Sequence, residues 1–151
     1  MKIALVQTNP VIGDFARNSA TVLRWTAEAV KAGCRLAVFP ELTLCGYPPQ
    51  DLLERSDFIK AHDRHLSSLT EKITDIGIII GAIEKRSGSG KPLYNSAFLI
   101  DGGGIKARAR KQLLPTYDVF DETRYFEPGS ESTVACLDLS LIHISEPTRP
   151  Y

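Results

Sequence analysis

The chain has 151 residues, 43% of them hydrophobic, and its eighteen basic and eighteen acidic side chains cancel. That length suits one domain able to bury roughly two thirds of its unfolded surface and to fold without disulfide staples. A balanced charge with no sustained basic block leaves no field to gather nucleic acid or coat an anionic membrane, so neither is expected as a partner.

Three cysteines, Cys34, Cys45 and Cys136, form an odd set without metal-like spacing. They point to reduced thiols in a cytoplasmic setting and to no metal site. The opening MKIALVQTNPVIGD has too short an apolar run for a signal peptide, and no later stretch is long and apolar enough to span a membrane.

In chain order, Lys2 to Thr8 reads as a short buried strand ended by Asn9 and Pro10. Asn18 is placed to cap a helix with Val22, Trp25, Ala29 and Val30 on its apolar stripe, and Gly33 is placed to stop it. Leu36 to Phe39 is a second strand, broken by Pro40, and strand, helix and strand in this order predict parallel neighbours. Residues 42–55 read as a long connection. Ser56 or Asp57 then caps a helix carrying Phe58, Ile59, His62, Leu66, Leu69 and Ile73 on one face. Gly77 to Ile83 is a third strand. Leu93 to Ile100, a glycine turn, and Ile105 to Lys111 read as strand, turn, strand. The intervening SGSGK lacks the spacing of a phosphate loop and has no helix after it, so it reads as a hairpin loop. The sum is an α/β fold with a mixed sheet.

Two side chains stand out. Glu41 follows the carboxyl end of a buried strand, where open α/β sheets place ligands and chemistry; a capping or surface glutamate is the alternative. In Ile105-Lys-Ala-Arg-Ala-Arg-Lys111 the strand period sets Lys106, Arg108 and Arg110 on one face and Ile105, Ala107, Ala109 and Lys111 on the apolar other. An ammonium there calls for a carboxylate such as Glu41, unless the strand ends one residue early and Lys111 turns outward.

The stretches VFPELTLCGYPPQDLL and KQLLPTYDVFDETRYFEPG, with MKIALVQTNPVIGD at the start and YNSAFLI before the lysine, resemble the nitrilase, or carbon-nitrogen hydrolase, superfamily. Within it they are most similar to the N-terminal glutaminase domains of glutamine-dependent NAD synthetases. The resemblance covers residues 1 to about 138. It implies the N-terminal part of an α-β-β-α sandwich and a Glu-Lys-Cys triad in which Glu41 is the acid-base group and Lys111 steadies the oxyanion. Glu122 resembles a second catalytic glutamate that orients the lysine, the alternative being a surface ion pair with Arg124. Tyr117, Tyr47 and Phe120 lie in the matching loops as candidate substrate-binding walls, with loop packing as the alternative. Glutamine is the implied substrate, and no cofactor is implied for this domain. ATP and Mg belong to a separate synthetase domain of the implied parent, which is expected to be a homo-oligomer. A stand-alone amidase or nitrilase acting on another small amide, and an inactive chain with at most a binding role, are the other readings.

The resemblance breaks at the nucleophile. The family places its cysteine in an ICED-like motif well downstream of the Pro-Gly that ends the lysine loop. Here Cys136, in VACLD, comes only seven residues after Gly129. Cys34 and Cys45 read as packing residues. The tail LSLIHISEPTRPY, residues 139–151, resembles the translation of a transposon adapter, so residues 1–138 are read as an incomplete hydrolase domain and 139–151 as a non-native tail.

Overall fold

The computed structural model describes residues 1–117, 120–138 and 140–144. Leu139 and residues 145–151, most of the segment read as foreign, lie outside them. A five-stranded mixed sheet organises the chain in the order β1 (Ile3–Leu5), β2 (Leu36–Val38), β3 (Gly77–Lys85), β4 (Leu93–Asp101), β5 (Gly104–Arg110). The first three strands are parallel and the last two antiparallel, as the strand-helix-strand and hairpin patterns predict. SGSGK is the loop between β3 and β4, with Gly88 and Gly90 at positive φ.

Helices α1 (Phe15–Lys31) and α2 (Ser56–Lys72) cover one face of the sheet. Phe15, Val22, Ala29, Ile59, Leu66 and Leu69 pack there on Ala37, Ile78, Ile80, Phe98 and Ile100. Each large side chain buried in that layer contributes about 1.5–3 kcal/mol. The stripe of α2 is the predicted one, with Ile73 just past the last turn. Its start is not: Arg55 occupies the cap position without a side-chain bond, because Asp57 is turned to the Arg55 guanidinium.

In α1 both the cap and the stripe differ from expectation. Asp14 caps the helix by accepting from the Arg17 backbone N–H, at 3.0 Å. Asn18 lies one turn inside, buried, where its amide holds the backbone of Val11 and Leu44. The buried face is Phe15, Asn18, Val22, Thr26 and Ala29, two of them polar, which leaves Trp25 and Val30 exposed.

The opposite face of the sheet carries a second, smaller cluster. Leu36, Leu99, Val38, Ile79 and Ala107 meet Ala135 and Leu137 of β6 (Thr133–Leu137), which pairs antiparallel with β7 (Ser140–Ile144). The backbone of β7 thus takes in residues 140–144 of the segment read as foreign. Arg35 clamps the strand pair to the sheet, with a fork on Asp101 at 3.0 and 3.1 Å and another on Asp138 at 2.8 and 2.9 Å. Helix layer, sheet and second sheet follow the α-β-β order of the nitrilase sandwich.

The end of β2 shapes everything above it. Phe39 N–H still bonds Ile79 and Gly81 N–H bonds Pro40, but beyond that the chain veers away and the edge of β3 is uncovered. The next N–H on that edge, that of Ile83, is taken by Nε2 of the fully buried His62 at 3.1 Å. An amide donor fixes Nε2 as acceptor and leaves the imidazole proton on Nδ1, beside Asp63. A side chain from α2 therefore replaces a missing strand.

Candidate active site

Above β3 the departing chain turns at Glu41, Leu42, Thr43, Leu44 and Cys45. Leu42 adopts a positive φ of 43°, and its carbonyl accepts from the Cys45 and Gly46 N–H groups. The turn presses directly onto Gly81, where a Cβ atom would stand 2.4 Å from Leu42 N and 2.6 Å from Glu41 Cα. Gly81 pairs with Ala97, and Ala97 with Ala109. This row of small residues makes the floor over which Glu41 crosses.

Lys111 arrives from the far side of the sheet. β5 ends at Arg110, one residue short of the expected strand, yet the Lys111 N–H bonds Asn95 O at 2.8 Å and the side chain points inward. It does not turn to solvent: only 13% of the side chain is exposed. Ala107 and Ala109 keep the predicted phase. Ile105 does not, because the register shifts between Leu99 and Ile100, where β5 holds one extra residue, and Ile105 packs on the helix side.

The Lys111 ammonium lies 3.0 Å from Glu41 Oε1 and 3.1 Å from Glu122 Oε1. Glu122 opens the short helix α3 (Glu122–Tyr125) and is 5% exposed. Its predicted pairing with the lysine is the observed one, while Arg124 turns instead to Asp51 and Glu54. Tyr47 donates to Glu122 Oε1 at 2.7 Å, and burial together with that carboxylate holds its phenol protonated well above the usual range. Burial works against the charge on Lys111, but the hydrogen bond and charge of Glu41, joined by Glu122, outweigh it and raise its pKa.

Asn95 joins the site without being one of the candidate residues of the sequence. Its buried amide donates to Glu41 Oε1 and reaches Glu122 Oε2 at 3.5 Å. The signal was available: Asn95 shares strand phase with Leu93, Ala97 and Leu99, so it is a polar residue on an apolar face. With Asn95 and Lys111 both on Oε1, Glu41 Oε2 accepts no hydrogen bond among the described residues. One carboxylate oxygen is thus anchored and the other is open for proton transfer, next to a fixed ammonium that can meet developing negative charge.

The candidate wall residues gather at the same end. Phe120 lies 6.1 Å from the Tyr47 ring and 5.6 Å, edge on, from Tyr117, whose side chain is largely exposed. A cleft of about 250 Å³ runs beside them, lined by Tyr47, Phe120, Glu122 and Tyr125 among others.

None of the three cysteine sulfurs bonds to Glu41, Lys111 or Glu122 among the described residues. Cys45 is fully buried against the Leu42 and Gly46 carbonyls, and burial pushes its thiol up to about 12. Cys136 is exposed on β6, out of phase with the inward Ala135 and Leu137. A thiol reagent at pH 8 is expected to modify Cys136 at once and Cys45 only after unfolding. Rapid native labelling of Cys45, read by peptide mass mapping, would contradict this burial.

A mixed sheet with helices on one face and a second sheet on the other, carrying a lysine bracketed by two glutamates, defines a nitrilase-type sandwich protein. The family model for carbon-nitrogen hydrolases matches residues 2–145, and the chain belongs to that family. It is 44% identical over 136 residues to the glutamine-dependent NAD(+) synthetase of Synechocystis sp., covering 86% of this chain and 24% of that protein. The glutamine-dependent NAD(+) synthetase of Thermotoga maritima is 38% identical over 136 residues, with 89% and 23% covered. This chain therefore spans about a quarter of the length of these relatives. In three dimensions it matches the glutamine-dependent NAD+ synthetase of Acinetobacter baumannii, solved in complex with ADP, with a TM-score of 0.86 at 30% identity over 93% of this chain and 26% of that one. An amidase from Nesterenkonia sp. shares the fold, with a TM-score of 0.76 at 24% identity over 95% of this chain and 54% of its own.

Proposed function

We propose that these residues form the acid-base and oxyanion side of a glutamine-hydrolysing site whose ammonia serves NAD synthesis in the parent protein. The observation that carries this reading is the Lys111 ammonium held between Glu41 and Glu122, with one Glu41 oxygen anchored and the other open. The 44% identity to a glutamine-dependent NAD(+) synthetase supports the choice of substrate.

In this reading Glu41 takes the proton of an attacking thiol and returns it to the departing ammonia. Lys111 faces the carbonyl oxygen as it becomes negative, which favours the tetrahedral state over the neutral amide. Glu122, itself held by Tyr47, orients that ammonium, and Tyr117, Tyr47 and Phe120 wall the glutamine side chain. The thiol is a cysteine other than Cys34, Cys45 and Cys136, so the 151 residues alone have no glutaminase activity. No cofactor enters the amide step, and ATP with Mg2+ acts only in the synthetase reaction of the parent.

The test is a chimaera in which residues 1–138 replace the matching segment of the Synechocystis enzyme. Glutamine should support NAD formation in it, while the isolated chain releases no ammonia from glutamine above background. Ammonia release by the isolated chain that disappears in Cys136→Ala would refute this placement of the nucleophile.

A further inference from the structure

Past the carboxyl end of β1, the segment Gln7 to Pro10 and the first half of α1 enclose a cleft of about 300 Å³, closed on one side by Thr43. It contains Arg17 and Arg24 and no acidic residue. The two arginines and Thr21 stand at i, i+7 and i+4 and so share one helix face. Neither guanidinium is paired with a carboxylate among the described residues: Asp14 accepts from the Arg17 backbone rather than its side chain, and Arg24 lies 5.3 Å from the centroid of the Trp25 ring. By contrast Asn18 and Thr43 in the same lining are committed to backbone carbonyls.

Two exposed guanidiniums with no carboxylate in the lining make the cleft basic. Guanidinium forks match the oxygens of a phosphate, and two of them balance its double charge better than the single charge of a carboxylate. We propose that this cleft binds a phosphate group, with Arg17 and Arg24 as the counter-charges. The group can come from inorganic phosphate or from a small phosphate monoester, since the same oxygens are recognised in both. The cleft contains neither Glu41 nor Lys111, so its occupancy is separable from amide chemistry.

Trp25 is the only tryptophan of the chain and lines the cleft, so its emission reports on this site alone. The 151-residue chain is titrated at constant ionic strength with sodium phosphate, ribose 5-phosphate and succinate. A saturable change with the first two and none with succinate is expected, and whichever phosphate binds more tightly identifies the source. Arg17→Gln and Arg24→Gln should each weaken binding about tenfold. Far-UV circular dichroism checks that both variants keep the fold. An equal response to succinate, no saturable response, or unchanged affinity in both arginine variants overturns the proposal.

Discussion

Glu41→Gln in the chimaera lowers glutamine-dependent NAD formation by about 10²–10⁴-fold, the usual worth of a positioned acid-base group, and leaves the ammonium-dependent rate unchanged. The substitution is isosteric. An amide oxygen at the Oε1 position still accepts from Lys111 and Asn95, so the turn over Gly81 stays in place. What changes is the open Oε2 position, where an NH2 group replaces an oxygen able to take a proton. Both rates are followed as NAD produced from the same preparation. A parallel fall in the two would mean that residue 41 supports the fold and not the amide step.

Lys111→Met is the second large effect, and it falls on stability as well as chemistry. Removing the ammonium leaves Glu122, 5% exposed, facing Glu41 with Tyr47 and Asn95 as the side-chain donors among the described residues. Breaking a buried ion pair in this way costs about 3–5 kcal/mol, here at the lower end because 42% of the Glu41 side chain reaches solvent. Urea denaturation of the chimaera and its variant measures the difference. The sign of the pH dependence follows from the raised pKa of Lys111 in the folded state. The stabilisation is fully present below the ordinary lysine value of 10.5 and is lost as pH rises through the higher folded value. The gap between parent and variant is therefore flat from about pH 7 to 9 and narrows only above about pH 10.5. Narrowing between pH 7 and 9 would show that the pair contributes less than its geometry implies.

The parts of the fold legible in the sequence were those set by local period. The stripe of α2 and the inward phase of Ala107, Ala109 and Lys111 follow from spacing alone, and the structure keeps both. The phase of α1 is not legible in the same way because two of its buried positions are polar. Asn18 is inward to serve Val11 and Leu44, the latter 26 residues away, and no local pattern announces that. Gly81 was silent for a similar reason: its missing side chain makes room for a turn about forty residues earlier in the chain. The extra residue in β5 shows itself only against β4. Glu122 is legible through its motif rather than through local physics, since nothing in DETRY distinguishes a buried partner of Lys111 from a partner of Arg124. Asn95 could have been found from strand phase, as a polar residue in an apolar row.

The extra residue of β5 lies before Ala107, so the count from Ala107 to Lys111 is unbroken. That count works as a gauge. Adding one residue before Arg110 would bring its guanidinium to the carboxylates, removing one would bring Gln112, and in both cases the ammonium would turn to the opposite face. Adding two would restore the side but slide the lysine by about 6.6 Å, one full pleat, more than twice its 3.0 Å reach to Glu41. A change of side chain at Arg108 leaves this gauge untouched, whereas a change in the length of the segment from Ala107 to Lys111 resets it.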